Sequence, residues 1–71
     1  MDYKDRLKIE YIELKGRYEE LHRFIIKYDA GKLEFAPTCS ISLLREQEAI
    51  MGQYLYTLEV RAMIEEVDLY A

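Results

Sequence analysis

Leu7-Lys8-Ile9-Glu10-Tyr11-Ile12-Glu13-Leu14-Lys15-Gly16-Arg17-Tyr18-Glu19-Glu20-Leu21 decides the fold. Leu7, Leu14 and Leu21 recur every seven residues, and Tyr28 continues the series. Tyr11, Tyr18 and Ile25 follow each leucine by four. A 4-3 repeat of apolar residues keeps one stripe on one side of an α-helix, with leucine at d and mostly tyrosine at a. Repeated tyrosine at a predicts packing wider and less regular than a two-stranded coiled coil, which prefers β-branched residues there.

Working outward, a first helix is expected over residues 2–30, a loop over 31–40 and a second helix over 41–68. Asp2 is the expected N-cap, and Asp5 places negative charge against the N-terminal end of the helix dipole. Gly31 suits the left-handed position just past a helix end. Pro37 opposes continuation, and Ser40 or Ser42 can cap the second helix. Leu33 and Phe35 alternate with charged neighbours, so the loop is expected to fold back over one end of the hairpin.

The second helix carries a matching stripe of Leu44, Met51, Leu55, Leu58 and Ala62, with Gln47 and Tyr54 beside it. It also carries another: Ala49, Gly52, Tyr56, Val60, Met63 and Val67. A hairpin partner covers one stripe only, so the second is surplus. Ile9, Ile12 and Ile26 lie off the seam of the first helix in the same way. Ala49 and Gly52 would admit another helix closely. Surplus apolar surface marks interfaces. The expected architecture is an all-α, two-helix antiparallel hairpin, one domain over residues 1–71. It is expected to associate into a helical-bundle homo-oligomer, a dimer or higher, with C2 symmetry the simplest closure. Its partner or oligomer surface is assigned to Ile9, Ile12, Tyr56, Val60, Met63 and Val67.

Chain length points the same way. At 71 residues one core gives only a few kcal/mol unless disulfides, a metal or partner subunits add to it. Cys39 is the only cysteine, so no intrachain disulfide forms, and a lone thiol fits a reducing compartment. No apolar run approaches the roughly 18 residues of a membrane span. Met1-Asp2-Tyr3-Lys4-Asp5-Arg6 lacks the apolar stretch of a signal peptide. A cytoplasmic protein is expected, with no membrane partner. The net charge is −4 with acids and bases interspersed, which opposes nucleic-acid binding through clustered Lys and Arg.

Candidate chemistry is thin. Glu19-x-x-His22 has the spacing of carboxylate-bridged di-iron bundles. Tyr18 and Leu21 hold the seam, however, so Glu19 points outward and no seam glutamate completes a ligand set. Cys39 and His22 could pair as nucleophile and base, but no third residue orients His22. No enzyme activity, metal or cofactor is expected. Glu19-Glu20 and Glu65-Glu66 read as solvated faces, and Glu13 with Arg17 as a weak i,i+4 pair. The seven tyrosines stand out, since each offers a flat apolar face with a polar tip. Most read as boundary core residues. A sharper reading gathers Tyr11, Arg17, Tyr18, Lys27, Tyr54 and Arg61 into an inter-subunit pocket for a small anionic aromatic ligand such as a nucleotide.

Three stretches carry a resemblance: Asp2-Tyr3-Lys4-Asp5-Arg6-Leu7, Leu21-His22-Arg23-Phe24-Ile25, and Leu43-Leu44-Arg45-Glu46-Gln47 followed by Met51, Tyr54, Leu58 and Arg61. Together they resemble a family of short uncharacterised phage proteins first noted in crAss-like phages, over nearly the whole chain. The resemblance implies a phage origin and a site of action in the cytoplasm of an infected bacterium, and it carries over no functional residues. The function expected first is a non-enzymatic phage accessory protein that binds a host protein and inhibits anti-phage defence. The alternatives are an oligomeric sponge for a cyclic or signalling nucleotide, and a structural or scaffold component.

Overall fold

A computed structural model describes residues 2–70. Met1 and Ala71, the ends of the expected 1–71 domain, lie outside the described residues. Two helices, α1 (Tyr3–Asp29) and α2 (Ile41–Ile64), pack against each other as an antiparallel hairpin. Asp2 caps α1, its carboxylate accepting from the backbone N–H groups of Lys4 and Asp5 at 2.8 and 3.0 Å. Ser40 caps α2, its hydroxyl accepting from Leu43 N–H at 3.2 Å. Each cap satisfies donors that the first helical turn leaves unpaired.

Both helices end alike. After α1, Gly31 takes a left-handed φ of 70°, Lys32 N–H bonds back to Lys27 C=O, and Gly31 N–H to Tyr28 C=O. After α2, Glu66 takes the left-handed conformation at φ 57°, Val67 N–H reaches Ala62 C=O at 2.8 Å, and Glu66 N–H reaches Met63 C=O. These six-to-one and five-to-two bonds are the Schellman arrangement. α2 therefore ends at Ile64, four residues before the expected 68. The apolar contact that accompanies such an ending is between Val67 and the core around Ala62. Residues 65–70 form a hook that folds back over the end of the hairpin.

The core lies at that end: Leu7, Tyr11, Leu58, Ala62 and Leu69 are buried together, with Leu14, Leu55 and Val67 packed against them. The expected seam holds along α1, where Leu7, Tyr11 and Ile25 are buried and Leu14, Tyr18 and Leu21 half-buried. Tyr28, its last member, is largely open. In the loop, Phe35 meets Phe24 with ring centroids 6.2 Å apart and otherwise stays exposed. The molecule is a rod of 42 × 18 × 18 Å. Its radius of gyration of 14.9 Å exceeds the roughly 11 Å of a compact chain this long.

Candidate functional site

Inter-helix pairs set the register. Tyr11 lies opposite Glu59, His22 opposite Glu48, and Arg45 pairs with Asp29 near the loop. The Asp29 carboxylate raises the Arg45 pKa above its ordinary value by accepting its hydrogen bond. Glu10 accepts from the Tyr54 hydroxyl.

This register separates the six residues expected to form one ligand pocket. Tyr11 belongs to the core at 3% exposure, with its hydroxyl donating to Glu59 at 2.9 Å and the Tyr70 ring edge-on to its face. Its burial, then its bonds to Tyr70 and Glu59, push the phenol pKa well above the ordinary 10.0. Arg17 and Tyr54 line a cleft with Arg6, Glu10 and Glu13, where acid and base alternate. Tyr18 follows Arg17 directly and points about 100° away around the helix. It lines a different cleft with Glu48, Gly52, Gln53, Tyr56 and Thr57. Arg61 faces Glu65 at 3.9 Å, level with residue 9 of α1, so about 27 Å of helix axis separates it from Lys27. One chain does not bring these six together.

The Tyr18 cleft has the more definite geometry. Tyr18 stacks on His22 at a 6° interplanar angle and 5.9 Å between centroids. The other His22 contact, from Nδ1 to Glu48 at 2.7 Å, fixes the ring. Across the cleft, Gly52 has no side chain, and a Cβ there would sit 3.5 Å from the Tyr18 ring. Gly52 is thus covered by Tyr18 within the chain, and the close helix approach expected at Ala49 and Gly52 is available at Ala49 only. Tyr56, 67% exposed, stands at the far wall. Lys15, one turn before Tyr18, lies 5.9 and 5.8 Å from the ring centroids of Tyr11 and Tyr70. Sequence reading singled out neither Lys15 nor Glu48, because their neighbours come from the other helix or the hook.

Of the expected partner surface, Ile9, Ile12, Tyr56, Val60 and Met63 are exposed. Val67 is not among them, since the turn at Glu66 swings it onto the core. Glu19 faces outward, 4.0 Å from Arg23. Among the described residues, no three His, Cys, Asp or Glu side chains gather as a metal site needs. Cys39 is exposed in the loop, while His22 is engaged by Glu48. No helix is long and apolar enough to cross a membrane among the described residues.

No curated protein and no solved structure matches the chain. A family model described as Sequestin matches residues 1–64, from the N-terminus to the last residue of α2 and excluding the hook. With 64 of its 71 residues matched, the chain belongs to the Sequestin family.

Proposed function

We propose that this protein acts by sequestration. It is a non-enzymatic phage accessory protein that binds a signalling nucleotide between subunits in an infected bacterium, and so starves an anti-phage defence of its signal. The observation that carries this reading is the Tyr18–Gly52–Tyr56 cleft. The exposed Tyr56 ring at its rim suits a flat base, for which stacking on an aromatic ring is worth about 1–3 kcal/mol. Lys15, three residues before Tyr18 on α1, contributes a positive charge, its Nζ lying over the Tyr11 and Tyr70 rings. The family name is compatible with sequestration.

The test is a thermal-shift panel of cyclic and linear signalling nucleotides. Ligand at 100-fold excess over Kd adds about 2.7 kcal/mol to stability. Tyr56→Ala and Lys15→Ala should each lose most of that gain, and the nucleotide should be recovered chemically unchanged. An empty panel rejects the nucleotide. The second reading, an inhibitory complex with a host defence protein, is favoured by exposed Ile9 and Ile12 on the outer side of α1. It predicts capture of one host protein, lost in Ile12→Glu.

A further inference from the structure

The two helices differ in what they show to solvent. α1 exposes charge along its length, at Lys4, Asp5, Glu13, Arg17, Glu20 and Lys27 among others. From Gln47 to Val60, α2 exposes none. The two acids in that span, Glu48 and Glu59, are half-buried and bonded to His22 and Tyr11. Depletion of charge with enrichment of tyrosine marks the centre of protein interfaces.

The same helix holds a second 4-3 repeat. Its inward seam runs Leu44, Glu48, Met51, Leu55, Leu58 and Ala62. Two residues further on, Glu46, Ile50, Gln53, Thr57, Val60 and Ile64 repeat that spacing, and all are exposed. A shift of two residues turns about 200° around the helix, so this outer seam faces directly away from α1. It is available without disturbing the hairpin core.

We infer that a second copy of this chain docks along the outer seam of α2, antiparallel, with the two-fold axis passing near Leu55. This deepens the between-subunits element of the sequestration reading and is independent of the ligand. Three observations select a second copy and this direction. The first is area: the chain exposes 5480 Å², against about 4,700 Å² for a compact protein of its mass. The excess of about 800 Å² comes from the rod shape, which leaves each copy enough surface to give the roughly 800 Å² of a standard interface. The second is side-chain matching. Antiparallel packing about Leu55 sets Ile50 on the partner's Val60, and Gln53 against the partner's Thr57. The two apolar layers then flank two polar pairs, and buried polar residues fix register in coiled coils. The third is charge. Glu46 and Arg61 bracket the uncharged span, and antiparallel packing brings each within one turn of the opposite charge on the partner. Parallel packing would oppose Glu46 to Glu46 and Arg61 to Arg61. Near the axis each Tyr56 approaches the partner's Tyr56, which places the two Tyr18 clefts on one composite surface.

The experiment is a mass measurement by sedimentation equilibrium at high micromolar concentration, together with crosslinking in a Cys39→Ser background. The wild-type chain should have twice the 8.5 kDa mass of one copy. Ile50→Glu should be a monomer that keeps its helical circular dichroism, since Ile50 is exposed in the hairpin. Glu46→Arg should weaken association a few-fold, with recovery on adding Arg61→Glu. A mixture of Ile50→Cys and Val60→Cys chains should oxidise to a disulfide dimer, and neither chain should do so alone. A wild-type monomer, or a dimer unaffected by Ile50→Glu, would overturn the proposal. So would Ile50→Cys crosslinking to itself, which reports parallel packing. A dimer that meets these expectations but binds no nucleotide leaves this inference standing and removes only the ligand.

Discussion

Tyr11 donates its phenolic hydrogen to Glu59 across the hairpin, a tyrosine in the core bonded to an acid on the facing helix. The neutral phenol is the form the fold favours, so its folded pKa stands above the ordinary 10.0. Its contribution is fully present below about pH 10 and is lost as pH rises from there through the folded value. Tyr11→Phe should keep the ring packing and cost about 1 kcal/mol at neutral pH. It should also make the alkaline loss of stability shallower than in wild type. Denaturant melts across the alkaline range check both.

The glycines should separate by backbone conformation. Gly16 lies inside α1 with open space where a Cβ would be, so Gly16→Ala should stabilise by about 0.5–1 kcal/mol. Gly52→Ala should gain similarly, because its methyl meets Tyr18 at an ordinary contact distance, while narrowing the cleft proposed for the ligand. Gly31→Ala should lose about 1 kcal/mol, since φ of 70° strains any residue with a Cβ. Melting temperatures of the three variants give the order, and the Gly52→Ala thermal shift with nucleotide gives the cleft.

The hook should be part of the fold although it lies outside the family match. Leu69 is buried, and Tyr70 packs edge-on to Tyr11. Leu69→Ala should cost about 2 kcal/mol or more, against less than about 0.5 kcal/mol for Ile26→Ala on the exposed side of α1. Ending the chain after Ile64 should cost more than Leu69→Ala. Urea midpoints at fixed protein concentration would show it, and equal midpoints for the full and shortened chains would refute it.

Each helix start rests on one capping side chain. Asp2→Ala and Ser40→Ala should each cost about 1 kcal/mol, with Asp2→Asn close to wild type. Helical ellipticity during thermal unfolding measures the difference.

The hairpin was legible because its signals are local. The 4-3 spacing from Leu7 to Ile25 gives the buried side of α1, and Asp2, Gly31 and Ser40 mark three of the four helix ends. The fourth was not legible. Glu66 adopts the same left-handed conformation as Gly31 but is a residue that ordinarily continues helices, and Val67 sits at helical spacing from Met63. Only the contact of Val67 with the core reveals the stop. The six residues expected to line an inter-subunit pocket are spread along one chain for a related reason. Residue type groups Arg17 with Tyr18, but adjacent residues on a helix diverge. Which residues meet across the hairpin depends on how the loop sets the register, and that is a tertiary property. The Tyr18–Gly52 contact exists only in that register.

The core gathers where the two ends of the chain meet, around Leu7, Tyr11, Ala62 and Leu69, while the loop end relies on Ile25 and surface pairs such as Arg45 with Asp29. Helix ends far from a connecting loop ordinarily fray first, and here that end of the hairpin is the clamp. Local opening should therefore begin at the covalent turn, with the last turn of α1 and the first turn of α2 exchanging their amide hydrogens soonest. The molecule would breathe like a clothes-peg gripped at its jaws, its hinge looser than its bite.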